Sequence, residues 1–421
     1  MKTKLQKICD SADWFDLELQ EIIVKNLRMQ PRLHRKQWEF AIIFRALKEA
    51  GVFNENSEGI AFGAGQEVLI YSVMEQVKKL TATDLYQADA AWCGTKTDNP
   101  KQYILEKAPF AVQEHKLEAH YMDMRKISYP ENTFDFAYSS CAFEHISDND
   151  EGFIEHLKEV NRALKEGGVY AMTTEFVYAN KTIPIEGNYF FELNHLLDLV
   201  RASGLHTAPV FDAKLMNIST NLPTIVPSHF CFEVGSSFVP HVTCVSDGIN
   251  FTSCLLILYK DSSKEACLPK IIGQELTKNF VKTQYNIMTK NLWKKWQNIN
   301  IIRIASNQPS LIGHENFKKE TQRLDEYAAF MTSFFDISFG TLQVKILLLP
   351  DSDHILKIRL HSFMEYQGND LKVDKEVIVN CKSNKYVMVK LECKTEKGRI
   401  YSVVGRSKAV YNEIDIKMRR V

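Results

Sequence analysis

From about residue 59 to residue 204, short apolar runs alternate with stretches of helical periodicity. Strands separated by helices pair side by side and run parallel, so this alternation calls for an open α/β sheet covered by its own helices. The strand candidates are Gly59 to Phe62, Leu80 to Thr83, Ala119 to Met122, Phe134 to Ser139 and Val169 to Thr174. Between the last two, Phe153, Leu157, Val160 and Leu164 recur at helical spacing, and Gly167-Gly168 is expected to close that helix. Its opening, Asp148-Asn149-Asp150-Glu151, reads as a capping box with Asp148 as N-cap and Glu151 reaching back. A calcium loop would need its glycine one place later and a glutamate at its twelfth position.

Beyond this region the pattern changes twice. Residues 205 to 240 are irregular and punctuated by proline, long enough for a lid or a substrate-facing insertion. The stretch "PHVTCVSDGINFTSCLLILYK" then holds two strand-like runs around Ser246-Asp247-Gly248, a hairpin signal. Residues 262 to 297 turn helical, with seven lysines against two glutamates. From about 298 the period becomes two: Leu356, Ile358 and Leu360 alternate with Lys357, Arg359 and His361, and Val387, Val389 and Leu391 alternate with Met388, Lys390 and Glu392. Such alternation means strands with one buried face, hence an antiparallel sandwich or roll. The expected organisation is residues 1–261 as the α/β domain with an N-terminal helical cap, 262–297 as a helical connector and 298–421 as a β-rich domain.

A chain of 421 residues exceeds one ordinary core, which agrees with that division. Its 52 basic and 52 acidic residues cancel, so no whole-protein field draws it to nucleic acid or to a membrane. The nine cysteines are odd in number and scattered, without CxxC or zinc-ligand spacing, which argues for reduced thiols. The first residues carry lysines but no apolar core of a leader, and no stretch approaches about 18 uninterrupted apolar residues. The expectation is a cytoplasmic protein without nucleic-acid or membrane partners.

The chemistry concentrates at the ends of the strands. "GIAFGAGQE", residues 59 to 67, runs a buried strand into a glycine corner, where backbone can approach a ligand and the next helix aims its free N–H groups. A dinucleotide fingerprint would need a small residue at Val68 and would have no use for Glu67 beside a pyrophosphate. Asp84 ends the second strand, nineteen residues after Gly65, where a carboxylate can accept both hydroxyls of a ribose. "YMDMRKISYPENTFDFAYSSCAFEHI" places Asp123 at the tip of the third strand and Glu144-His145 just past the fourth.

In this order of segments, including "VNRALKEGGVYAMTT", the chain resembles the class I S-adenosylmethionine-dependent methyltransferases, in particular their small-molecule branch. The resemblance covers roughly residues 38 to 261 and implies a Rossmann-like seven-stranded sheet that ends in an antiparallel hairpin. It implies S-adenosyl-L-methionine as cofactor, with Gly63, Ala64 and Gly65 against its methionine portion and ribose, and Asp84 on the ribose hydroxyls. Asp123 would take the adenine amino group with Met124 beside the ring, and Ser140 would border the cofactor. Two positions depart from the family: Ala61 stands where an acid is usual, and Glu67 replaces the third glycine. Glu67 still makes physical sense, because a helix N-terminus favours a carboxylate and this cofactor offers a sulfonium and an ammonium rather than phosphates.

Methyl transfer is an in-line displacement, so the protein supplies positioning and, for an alcohol acceptor, a base. His145, Glu175 and His195 are the candidates by location. Upstream, Lys25, Arg28, Arg32, Arg35 and Lys36 stand without an intervening acid in "KNLRMQPRLHRK"; they would grip a phosphate or carboxylate on the acceptor, or the cofactor's own carboxylate, or else form a solvated face. Trp38, Phe40 and Phe44 begin an amphipathic helix. Trp293 and Trp296 belong to a solvated connector helix, and His354 and His361 are too far apart for a His-x-His metal pair, so no metal is implied. The reading is a methyltransferase acting on a hydroxyl or amine of a small-molecule or glycan-like acceptor, with the β-rich domain shaping the acceptor site, holding a glycan or joining subunits as a homo-oligomer. The alternative is a non-catalytic scaffold whose cofactor site has decayed. An NAD-dependent enzyme is disfavoured by Glu67, Asp123 and the terminal hairpin.

Overall fold

The computed structural model describes residues 5–86, 97–225, 240–246, 249–263, 265–286, 297–298, 301–303, 328–332, 340–364, 372–396, 399–407, 409 and 411–421. Two compact units emerge, one formed by Met1–Asn221 with Phe251–Lys278 and the other by Leu222–Asn250 with Asn279–Val421.

The strands of the first unit that matter here are β1 (Lys7–Ile8), β2 (Glu58–Phe62), β3 (Lys79–Asp84), β4 (Leu117–Tyr121), β5 (Phe134–Ser140), β6 (Leu164–Val177), β7 (His206–Thr207), β8 (Val210–Asp212), β9 (Ile249–Tyr259) and β10 (Lys270–Ile272). Its helices include α1 (Arg35–Glu49), α2 (Val68–Met74), α3 (Asp150–Ala163) and α4 (Leu193–Ser203). In space the order is β4-β3-β2-β5-β6-β9-β1-β8-β10. The first five run parallel, with Ile60 opposite Thr81 on one side and Ala137 on the other. Next to β6, β9 runs antiparallel with Leu255 opposite Thr173, the reversed strand that the resemblance implies, although the sheet does not end there. The turn expected at Asp247-Gly248 lies outside the described residues, as do Trp293 and Trp296.

Strands β2, β3 and β5 are buried on both faces, which is why they read as apolar runs rather than alternating ones, whereas β4 at the sheet edge leaves His120 and Tyr121 exposed. Gly59 in β2 is required by its neighbour: a Cβ there would lie 2.1 Å from the Phe136 ring of β5. Helix α3 buries Phe153, Leu157 and Val160 as the spacing predicts. Its boundaries differ from expectation by one residue at the start and by a change of element at the end. Asn149, not Asp148, is the N-cap, its Oδ1 accepting from the Gly152 N–H, and Leu164 already belongs to β6. Gly167 and Gly168 therefore sit inside β6, where Gly167 takes a φ of 77° and donates its N–H to the Lys260 carbonyl.

Strands β1, β8 and β10 extend the sheet past β9. Lys7 pairs antiparallel with Leu255 and parallel with Asp212, and Phe211 pairs with Ile271. Among the described residues no helix is long and apolar enough to cross a membrane.

Among its described residues the second unit holds two antiparallel sheets. One joins Gln297–Asn298, Tyr411–Arg420, Gly340–Pro350 and Val387–Thr395; the other joins Ile301–Arg303, Ala328–Thr332, Arg399–Arg406, His354–Met364 and Lys372–Cys381. Leu342, Val344, Ile346 and Leu348 of the first share one core with Leu356, Ile358, Leu360 and Val403 of the second. This is a sandwich-like arrangement in which every second residue points inward, as the period of two requires. Gly405 repeats the device of Gly59: an added Cβ would lie 2.1 Å from the Phe330 ring.

Candidate functional site

The site is built at the carboxyl edge of the adjacent strands β3, β2, β5 and β6, where an open parallel sheet leaves a crevice between strand ends and helix starts. Leaving β2, the chain turns through Gly63 and Gly65 with φ of 58° and 47°, in the left-handed region that glycine occupies at no steric cost. Gly63 also lies against the loop after β5: a Cβ on it would come within 2.3 Å of the Ala142 methyl. Ala64 donates its N–H to the Thr83 carbonyl at 3.0 Å, tying the corner to β3.

Asp84, the last residue of β3, folds its carboxylate onto this corner. Its Oδ2 accepts from the Gly65 N–H at 2.9 Å and its Oδ1 from the Leu85 N–H at 2.6 Å. Burial pushes its pKa above the usual carboxylate value despite these backbone bonds. Each carboxylate oxygen has a second lone pair, so acceptor capacity remains for a ligand hydroxyl. Tyr86 covers the same corner, its OH donating to the Gly65 carbonyl at 3.3 Å.

On the other side of the corner a cationic group fills the space. Lys36, in the first turn of α1, places Nζ 2.7 Å from the Ser140 carbonyl, 3.0 Å from Ser140 Oγ, 2.8 Å from Glu67 Oε1 and 3.2 Å from Glu39 Oε2. Glu67 is the N-cap residue of α2, yet its side chain makes no capping bond and turns to Lys36 instead. Burial pushes the Glu67 carboxyl up to about 7 against the pull of Lys36, and Asp84 adds to the rise. Helix α1 starts here because His34 caps it, its Nδ1 accepting from the Lys36 N–H at 3.1 Å. From Gln37 to Leu47 every residue of α1 is buried, which anchors the two basic residues of its first turn.

Arg35 anchors the neighbouring part. Its guanidinium pairs with Glu175 of β6, donates to Ser253 Oγ at 2.9 Å and lies 3.3 Å from Glu39 Oε1. Glu175 completes its contacts by accepting from Asn188 Nδ2 at 2.7 Å. Behind this cluster Glu144 is wholly buried. Its Oε2 accepts from Thr174 Oγ1 at 2.9 Å while Oε1 has no hydrogen-bond partner among the described residues. Burial, with the nearby charge of Glu175, pushes its pKa up to about 8. Cys141, between Ser140 and this group, holds a φ of 47°, an uncommon backbone for a residue with a Cβ.

The remaining residues singled out from the sequence stand around this centre. Asp123 grips Arg125 in a fork, with Nη2 at 2.7 Å from Oδ2 and Nε at 3.0 Å from Oδ1. Burial opposes its charge, but the Arg125 bonds hold its pKa below the ordinary value. The Met124 carbonyl accepts from buried His156 Nδ1 at 2.8 Å, and His156 continues through Tyr170 OH at 3.0 Å to Ser139 Oγ at 2.7 Å. His145 donates its Nδ1–H to the Gly187 carbonyl at 2.9 Å, which puts the ring lone pair on Nε2; burial lowers its pKa, so it stays neutral. His195 on α4 bonds Thr182 Oγ1 at 2.7 Å and Asp150 Oδ1 at 3.0 Å, a pairing separate from the Lys36 cluster.

The structure therefore links Gly65 with Asp84 and Ser140 with Lys36, Glu39 and Glu67. Glu39, Ser253 and Asn188 escaped the sequence reading. Glu39 had a signal: an acid three and four residues after two cations, on an otherwise apolar helix, has to be paired if it is buried.

Residues 60–172 match the family model described as a methyltransferase domain. Among solved structures, the chain is similar to a Galdieria sulphuraria protein assigned as a sarcosine dimethylglycine methyltransferase, with 16% identity over 54% of this chain and 85% of that one and a TM-score of 0.36. It is also similar to a SAM-dependent methyltransferase from Aquifex aeolicus (17% identity, 51% of this chain and 88% of that one, TM-score 0.30). A third is the Haemonchus contortus phosphoethanolamine N-methyltransferase 2 in complex with phosphomonomethylethanolamine and S-adenosylhomocysteine (16%, 48% and 45%, TM-score 0.31). No curated protein matches the sequence.

Proposed function

We propose, from the match of residues 60–172 to a methyltransferase domain and from the site's geometry, that the chain is a class I S-adenosylmethionine-dependent methyltransferase that moves a methyl group from S-adenosyl-L-methionine to a hydroxyl or amine of a small-molecule or glycan-like acceptor. The observation that carries this reading is the glycine corner with Asp84 bonded to it: a carboxylate held at a strand tip, with lone pairs left over, beside backbone that no Cβ screens. When bound, the cofactor supplies an electrophilic methyl group on a sulfonium.

Every other part of the chemistry falls to the chain itself. Asp84 accepts the ribose hydroxyls while Gly63, Ala64 and Gly65 give the nucleoside close approach. Asp123 and Met124 lie at the next strand tip for the adenine, and to take its amino group Asp123 has to share a carboxylate that also holds Arg125. Ser140 borders the cofactor at the end of β5.

Of the three candidate bases, His145 is assigned the role by residue type and place: an imidazole oriented by the Gly187 carbonyl, with a pKa lowered by burial, just past the end of β5. Glu175 is held by Arg35 and Asn188 and is assigned to positioning, and His195 remains a candidate only through a rearrangement of its pairs to Thr182 and Asp150. Transfer is assigned to residues 1–261, linked through 262–297. Residues 298–421 are assigned to shaping the acceptor site, holding a glycan or joining subunits.

Calorimetric titration of the full chain with S-adenosylhomocysteine tests the reading. Binding with a dissociation constant on the order of micromolar, about 8 kcal/mol, is expected. Absence of binding would favour the non-catalytic scaffold.

A further inference from the structure

Lys36 sits in a cage suited to an ammonium group. The cage has four acceptors within 3.2 Å, drawn from the end of β5 (Ser140 carbonyl and Oγ), the start of α2 (Glu67) and helix α1 (Glu39). The acid that the resemblance leads one to expect at position 61 is an alanine. Glu67 therefore brings a carboxylate to the corner from six residues further along.

The order of the strands gives the cage its place. Asp84, the glycine corner and Ser140 end β3, β2 and β5, which are adjacent in that order. A ligand whose ribose rests on Asp84 and whose chain crosses the corner brings its far end to Ser140 and Glu67. On the methyl-transfer reading, that far end is an α-amino acid, with one ammonium and one carboxylate. Exchanging the Lys36 ammonium for the ligand's is a like-for-like replacement in the cage. It leaves a flexible lysine, still beside Glu39, next to the ligand's carboxylate.

We propose that Glu67 and the Ser140 carbonyl bind the α-ammonium of the methionine end of the cofactor, and that Lys36 yields this cage on binding and pairs with the α-carboxylate. The inference rests on the function proposed above and assigns its amino-acid subsite. Lys36 holds the two acceptors in place until a ligand arrives, so neither Glu67 nor the Ser140 carbonyl is left buried and unpaired beforehand. Glu39 remains the fixed partner that keeps the lysine within reach of both positions.

The test compares two ligands on the full chain by calorimetry: S-adenosylhomocysteine, and 5′-methylthioadenosine, which has the nucleoside and thioether without the amino acid. In the wild type the first is expected to bind about tenfold or more tightly than the second. Lys36→Met and Glu67→Gln are each expected to weaken S-adenosylhomocysteine about tenfold while changing 5′-methylthioadenosine less than about threefold. The unchanged binding of 5′-methylthioadenosine also shows that each variant is folded. If both ligands bind the wild type but Lys36→Met leaves S-adenosylhomocysteine unchanged or tightens it, Lys36 is a bystander or a competitor and the exchange is overturned, with the cofactor reading intact. If neither ligand binds the wild type, the cofactor reading itself is overturned and the subsite goes with it.

Discussion

The guanidinium of Arg35 on α1 pairs with the carboxylate of Glu175 on β6, 140 residues further along the chain, and also contacts Glu39 and Ser253. One cation thus offsets two buried carboxylates. Arg35→Met is expected to lower stability by about 3–5 kcal/mol, because it leaves buried charge uncompensated. Adding Glu175→Gln to that variant should return a large part of the loss. Urea denaturation of the wild type, both single variants and the double variant measures the coupling; additive losses would contradict it.

Glu144 makes stability fall as pH rises. Its carboxyl is pushed up to about 8 in the fold from an ordinary value of 4.5, so between these limits the unfolded chain has released a proton that the folded protein still holds. By linkage, stability decreases across that window and levels off above it. Glu144→Gln abolishes this pH dependence. Denaturation at pH 5 and pH 8.5 should show the variant gaining on the wild type at the higher pH, by about 2–5 kcal/mol. Equal differences at both pH values would mean that Glu144 titrates normally.

Asp84 acts on the nucleoside and not on the amino-acid end. Asp84→Asn is expected to weaken S-adenosylhomocysteine and 5′-methylthioadenosine alike, each by about tenfold, because an amide offers one acceptor oxygen where the carboxylate offers two. This pattern differs from that of Lys36→Met, and calorimetry with the two ligands tells them apart.

Gly59 and Gly405 each lie under a phenylalanine ring, those of Phe136 and Phe330. A methyl at either place forces the ring aside. Gly59→Ala and Gly405→Ala are expected to cost about 1–3 kcal/mol each, the scale of overpacking a filled core. Thermal unfolding of both variants checks this; an unchanged melting curve in either would mean that its ring moves freely.

Much of the first unit was legible because parallel strands buried on both faces leave uninterrupted apolar runs, and because polar residues at their ends, such as Asp84 and Ser140, stand out against them. The sandwich was legible through the period of two at Leu356, Ile358 and Leu360, all buried. The amino-acid end of the site was not. Lys36 meets Ser140 across 104 residues and Ser253 meets Glu39 across 214, and no local periodicity records pairings of that range. The short strand at Lys7–Ile8 was missed for the same reason: two residues carry no pattern, and the sheet accepts them because Leu255 and Asp212 are already in position. The start of α3 was misplaced by one residue because Asp148 and Asn149 are chemically equivalent caps and only the backbone angles choose between them.

The pairing of Lys7 with Leu255 also constrains the order of assembly on the ribosome. Lys7 is made before Leu255, its neighbour in the sheet, which lies some 250 residues behind it in synthesis. Asp212, on its other side, is also made long after it, so the parallel strands between have to form their layer before Lys7 and Ile8 can take their place in the sheet.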